Sequence, residues 1–295
     1  MNRHWQARLL VALASVLWSL SGLFITLLTK PNTWLGDTPP VAAEQIACWR
    51  CLFGAASLFV LFRPRMLRWH ALLPLMAACF AMMNGLFVLA MSLGDVAEAA
   101  LLQYTAPFWV LIVTVIVLRK AQATRRDWWA LGIAIMGILV VVLGRFQANH
   151  AYAAGLSLGA GVALAGVILC LSMLSGLSPV WLVLINQLAA GLLALPWAMA
   201  VPWPQGMQWF VLAVFGVVQV ALPFWLMSHA IKIIPAHEAA LITLLDPVLA
   251  PVWVFFLLGT VPAAATILGG GVFLAALIIR YMPAGVNRES EKAMN

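Results

Sequence analysis

The chain has 295 residues, 65% hydrophobic and 8% charged, with a net charge of +7 and a mean hydropathy of +1.04. That balance excludes a water-soluble domain, whose surface needs far more charge. The apolar runs are continuous and about twice as long as a barrel strand, which excludes a transmembrane β-barrel and leaves an all-α integral membrane protein.

Ten windows of about 20 apolar residues follow one another, each long enough to cross a bilayer core as a helix. They lie at 8–29, 41–62, 71–93, 99–118, 127–145, 152–174, 179–200, 207–228, 239–258 and 262–281. Breaks fall where Pro, Gly and charges cluster, as at Pro31–Pro40, Arg63–Arg68 and Pro202–Pro204. The first window follows Arg3 and Arg8 and contains Ala12-Leu-Ala14, which resembles a cleavage site. It continues to Leu28, past the roughly 7–15 residues of a signal-peptide core, and reads as an uncleaved helix. Cys48, Cys51, Cys79 and Cys170 all fall inside windows and read as small buried hydrophobes. Without a second Cys or His pair to complete a site, no metal or cofactor is expected.

Lys and Arg set the orientation. With the N-terminus inside, only Lys30, Arg145 and the intrahelical Arg50, of 16 Lys and Arg, lie away from the cytoplasmic side. Both termini are therefore expected in the cytoplasm, and topology accounts for the basic charge without a nucleic-acid partner. Trp5, Trp34, Trp69, Trp128, Trp129, Trp203 and Trp209 sit near window ends as belt anchors.

A repeat divides the chain. Glu98-Ala-Ala-Leu-Leu-Gln-Tyr-Thr-Ala-Pro107 returns as Glu238-Ala-Ala-Leu-Ile-Thr-Leu-Leu-Asp-Pro247, with five of ten positions identical. The same offset matches Ala90 to Ala230 and Leu118 to Leu258, so windows 1–5 correspond to windows 6–10. Five is odd, so the second copy enters from the opposite face as an inverted repeat. The expected units are residues 1–148 and 149–284, followed by a cytoplasmic tail at 285–295. Each Glu is expected to open its helix, on opposite faces of the membrane, as a carboxylate at the positive end of the dipole. Each Pro is expected as the ninth residue of its helix, near mid-depth, where it deprives the Gln103 or Thr243 carbonyl of a partner. Such carbonyls survive in hydrocarbon only against protein or a wet cavity, so the two helices should face each other or share one.

The chain resembles the drug/metabolite transporter superfamily, in particular its ten-helix, two-repeat EamA-type members. The resemblance rests on Leu17-Trp-Ser-Leu-Ser-Gly22, Cys48-Trp-Arg50, both Ala-Ala-Leu…Pro stretches, and Gly132, Gly137 and Gly269-Gly-Gly271. The chain departs from the family at Arg119-Lys120 and Gly259-Thr260, where a Glu is frequent, and at Gln187, which stands as the counterpart of Arg50. The resemblance implies gradient-driven export or exchange of small metabolites, such as amino acids, from an aromatic-lined cavity. The expected location is a bacterial inner (plasma) membrane.

Polar groups inside a membrane are costly and need a reason. Asp246, the acid directly before one helix break, is the sharpest candidate for a coupling or charge site, with a satisfied structural carboxyl as the alternative. Arg50 is its candidate partner, against another structural pair or snorkelling to the interface. The expected substrate cavity comprises Trp18, Ser21, Asn84, Gln103, Tyr104, Pro107, Gln187, Gln219, Trp225, Thr243 and Pro247. For Asn84, Gln187 and Gln219, interhelical bridging is the competing role. A passive channel would be expected to show a charged or carbonyl filter ring, and a membrane-embedded enzyme a nucleophile elbow, HExxH or ligand cluster. Without a Walker loop, direct ATP drive within this chain is not expected. The expected partners are a small-molecule substrate and lipid; the sequence leaves the oligomeric state open.

Overall fold

The structure is a computed structural model and describes residues 3–30, 35, 38–117, 124–143, 148–174, 176–230, 233–234, 242–243, 245–259, 261 and 263–281. Among them there is no strand, and helical residues fall within every one of the ten apolar windows. In chain order the helices are α1 (Arg3–Ser19), α2 (Ser21–Thr29), α3 (Ala43–Phe59), α4 (Leu73–Leu93), α5 (Val96–Gln103) and α6 (Ala106–Ile112). They continue as α7 (Arg125–Leu143), α8 (Ala148–Met173), α9 (Pro179–Met199), α10 (Met207–Val214), α11 (Leu222–Ala230), α12 (Leu245–Leu258) and α13 (Ala264–Tyr281). A π-helical turn, Val113–Val117, extends α6, and another, Phe215–Ala221, joins α10 to α11.

Among the described residues, seven helices are long and apolar enough to cross a membrane: Arg3–Thr29, Leu73–Leu93, Val96–Ile116, Arg125–Leu143, Ala151–Met173, Pro179–Met199 and Met207–Met227. At 1.5 Å per residue a helix of this length spans about 30 Å, the thickness of a hydrocarbon core. α3, with 17 residues, and α12, with 14, are shorter. Polarity runs inside out. Phe210, Phe256 and Leu268 are exposed, whereas Gln45, Arg50, Asn84, Gln187 and Gln208 are buried. An aqueous fold reverses that distribution; a lipid-facing one requires it.

The breaks differ from expectation in three ways. The helix carrying the first Glu starts at Val96, not at Glu98. Asp95 caps it, accepting from the Ala97 and Glu98 amides at 2.9 and 3.2 Å, and Glu98 sits buried in the first turn. Asp95 is shorter and lies just outside the helix, where a side-chain oxygen reaches free amides. Next, Pro107 does not kink a continuous helix. α5 ends at Gln103 and α6 begins at Ala106, so Pro107 occupies a first turn, where its missing N–H costs nothing. Glu238 lies outside the described residues. Finally, two further spans are irregular without having been expected so. The first changes helix at Leu20, pinned by the Trp253 indole donating to Ser19 Oγ at 2.8 Å. The eighth contains the π turn, and Pro223 lies two residues beyond its end: lacking an N–H, it cannot serve the Gln219 carbonyl one turn back.

Packing pairs helices from the two halves of the chain. α3 lies on α9 and α7 on α13; α4 lies on α8, and α1 on α11; α4 touches α9, and the second π turn touches α3. Glycines permit the closest approaches. A Cβ on Gly137 would stand 2.7 Å from the Gly269 carbonyl oxygen, and one on Gly269 2.6 Å from that of Gly137. Without a hydrophobic drive between helices in lipid, such small-residue contact is what lets them pack. Trp203 and Trp209 depart from the simple belt reading, since both gather around Trp49 at 5.8 and 4.9 Å.

Candidate functional site

The pairing of the two halves leaves a central cavity of about 350 Å³. α3 and α4 bring Arg50 and Asn84 to it. The Asn84 side-chain oxygen accepts from Arg50 Nε at 2.9 Å and also from Nη2, while its amide donates to the Ala47 carbonyl at 3.0 Å. The Arg50 guanidinium also lies 5.2 Å from the centre of the Phe215 ring. Both polar residues are nearly sealed, at 5% and 1% exposure. A cation so buried needs compensation, and a neutral amide with an aromatic face supplies part of it.

The break between α5 and α6 places Gln103 and Tyr104 on the next wall. The carbonyl of Gln103, which Pro107 cannot serve, and that of Leu102, which accepts from the Thr105 hydroxyl at 2.8 Å, face Gly161 of α8, where a Cβ would stand 3.1 and 3.2 Å from them. Tyr104 reaches across to the other half: its hydroxyl donates to Asp246 Oδ2 at 2.8 Å, with the Thr243 carbonyl at 3.2 Å. The expectation that these two regions face each other at a shared cavity therefore matches the geometry. The expectation that Arg50 pairs with Asp246 does not. Both line the cavity, but Asn84 takes Arg50 and Tyr104 takes Asp246.

α9 and the second π turn complete the enclosure with Gln187 and Gln219. Gln219 donates to the Trp18 carbonyl at 3.3 Å, at the end of α1 near the Leu20 break. Among the described residues its side-chain oxygen has no partner, nor has either amide atom of Gln187, which is only 1% exposed. Trp18 and Ser21 close the side formed by α1 and α2, and Trp18 meets Phe224 edge-on at 5.2 Å.

Of the residues singled out from sequence, Trp18, Ser21, Arg50, Asn84, Gln103, Tyr104, Gln187, Gln219, Thr243 and Asp246 line the cavity. Pro107, Pro247 and Trp225 do not. The prolines shape backbone rather than wall. Trp225 points outward on α11, its ring tilted against that of His229 at 4.7 Å, while its neighbour Phe224 faces in, as one step of about 100° on a helix dictates. Sequence reasoning missed the apolar lining, notably Phe80, Met83, Phe87 and Phe224. In a chain this hydrophobic nothing separates an inward Phe from a lipid-facing one. The two unexpected irregular spans had one visible cue, Pro223 inside an apolar window.

A second cavity of about 850 Å³ adjoins the first, sharing Phe80, Phe224 and Met227. Arg65, Arg68 and Asn186 line it, so it leads toward the face that carries the α3–α4 connection. Among the described residues no group of three or more His, Cys, Asp or Glu is arranged to hold a metal ion.

Comparison with known proteins adds an independent line. The sequence profile of the EamA-like transporter family matches residues 5–143 and again 151–282. An uncharacterized transporter of Archaeoglobus fulgidus is 25% identical over 196 residues, 66% of this chain and 70% of that one. A solved crystal structure superposes with a TM-score of 0.66 at 16% identity, over 92% of this chain and 96% of the other; at that identity the likeness concerns the fold alone.

Proposed function

The chain belongs to the EamA-like transporter family, and on that premise we propose that it is a secondary transporter working by alternating access around the central cavity. It exports or exchanges small metabolites such as amino acids. The observation that carries this reading is the enclosure itself. Arg50, Asn84 and Tyr104 from one family match, and Gln187, Gln219 and Asp246 from the other, surround one cavity between helices that pair across the halves. A solute held there touches both halves, so their relative rocking exposes it to either side.

The topology belongs to the same proposal. Ten crossings form two inverted five-helix repeats, at residues 1–148 and 149–284, with both termini in the cytoplasm of a bacterial inner membrane. The reciprocal packing supports it: α4 on α8 answers α11 on α1, as a two-fold exchange of the halves requires. In that orientation the Arg65 and Arg68 vestibule lies on the cytoplasmic side. Asp246 acts as the coupling or substrate-charge site through its bond with Tyr104. Counterflow in proteoliposomes tests the reading. Saturable exchange of a preloaded metabolite supports a carrier, flux that fails to saturate points to a channel, and chemical conversion of the solute to an enzyme.

A further inference from the structure

The charge balance of the cavity points to the chemistry of its solute. Among the described residues, no carboxylate pairs with Arg50; its guanidinium donates to the neutral Asn84 amide oxygen, has the Cys51 thiol beside it, and lies over the Phe215 ring. A guanidinium has five N–H donors in a rigid fork, and Asn84 engages only those on Nε and Nη2. A cation this deep in a membrane protein is costly unless an anion joins it. Asn84 fixes the fork in one orientation, so an arriving carboxylate meets a donor set already in place. The same cavity is lined by Gln187, sealed from solvent with both amide atoms unsatisfied among the described residues, and by Gln219 with a free acceptor. Unpaired buried polar atoms lining a cavity call for a partner that fills it. Among the described residues that line it, the vestibule adds Arg65 and Arg68 and no acid to the same route, a field that draws anionic groups inward. The acid of the central cavity, Asp246, is engaged with Tyr104 rather than with Arg50.

We propose that the transported solute carries a carboxylate, that Arg50 binds it with Gln187 completing its hydrogen bonds, and that a donor such as an ammonium on the same solute faces Asp246. This rests on the transporter reading above. It makes Arg50 the residue that selects carboxylates, with Asn84 positioning it.

Thermal shift of the purified full chain tests the assignment with two matched series. One is leucine, leucinamide, 4-methylpentanoate and isopentylamine; the other is phenylalanine, its amide, 3-phenylpropanoate and 2-phenylethylamine. Carboxylate-bearing members are expected to stabilise more than the amide or amine of the same skeleton. Arg50→Gln is expected to weaken the apparent affinity for the carboxylates about tenfold or more, while leaving the weaker response to the amines in place. Arg50→Lys keeps the charge without the fork and guards against a folding failure; it is expected to fall between the two. A purely structural Arg50 would lower the unliganded Tm without changing the ratio of carboxylate to amine response. That result overturns the proposal, as does equal or stronger stabilisation by the carboxylate-free compounds, or none by either series. Counterflow with a sugar, nucleoside or polyamine alongside any of these leaves the transporter reading standing. The absence of counterflow with every solute removes that reading too.

Discussion

Two walls of the central cavity carry a buried polar side chain at places the sequence pairs across the halves, and the protein holds them in opposite ways. On α3, Arg50 is locked by Asn84 from α4 and backed by Phe215. On α9, Gln187 is at least as deeply buried, yet neither amide atom has a partner. The same contrast runs through the breaks. Ala106 precedes Pro107 in one half; in the other, Asp246 precedes Pro247 and takes the Tyr104 hydroxyl. Two matches to one family thus frame a single cavity with unlike chemistry on its sides: one wall is tied by hydrogen bonds, the other carries amide atoms without partners among the described residues.

The strongest way to break this comparison is at Asp246. Asn at that position keeps the shape and can still accept from Tyr104, so the fold should be spared, but it cannot titrate or carry charge. Asp246→Asn is expected to reduce gradient-driven transport by about 5–150-fold, the usual span of a coupling free energy, with little change in Tm. Proteoliposome uptake across a pH series reads it. Unchanged uptake and pH dependence at equal expression would make Asp246 a structural carboxyl.

The locked and free walls can also be set against each other directly. Asn84→Leu strips Arg50 of its oxygen acceptor and should destabilise the protein by about 1.5–3 kcal/mol, whereas Gln187→Leu removes a group with no partner and should be near neutral. Thermal unfolding of the two variants decides. Equal losses would mean that Gln187 is held as firmly as Arg50, and the contrast between the walls would collapse.

How much of this was legible in the sequence follows from what each feature depends on. The windows were readable because spanning a bilayer imposes a length and a hydropathy that composition cannot hide. The broken fourth span and its meeting with the second repeat were readable from Pro107, Pro247 and the cost of a free carbonyl in hydrocarbon. Polar residues such as Arg50, Asn84 and Gln187 stood out because a membrane leaves few reasons to keep them. Which of them touch was not legible: Arg50 looked like a partner for Asp246, and only the packing of α3 on α4 gives it to Asn84 instead. The aromatic lining was hidden too, since Phe224 and Trp225 differ only by a helical step. Asp95 was a readable signal passed over, because the repeated Glu drew the helix start two residues too far along.

The break itself offers a smaller test. Gly161 of α8 lies under it, and a Cβ there would stand 2.4 Å from Thr105 Oγ1 and against two backbone carbonyls, whereas one on Gly155 of the same helix meets nothing within 4 Å. Gly161→Ala is expected to cost about 1 kcal/mol or more through forced displacement of the broken segment. Gly155→Ala should be neutral or slightly stabilising, since Ala is the better helix former. If both lower the Tm alike, the break does not depend on close approach to α8.

Trp18 sets the finest test of the difference between the walls. Its carbonyl holds Gln219 and its ring meets Phe224 edge-on, so one residue joins the amide of the second π turn to the aromatic lining. Trp18→Ala leaves the carbonyl in place and removes only the ring. An aromatic pair of this geometry contributes about 0.5–1.5 kcal/mol, so a few-fold change in apparent affinity is expected, concentrated on solutes with bulky apolar parts. Small solutes that rely on Arg50 should hardly respond. Kinetics measured over solutes of graded size separate the two. A uniform loss across the panel would assign Trp18 to holding α1 against α11, and identical kinetics throughout would make it packing alone.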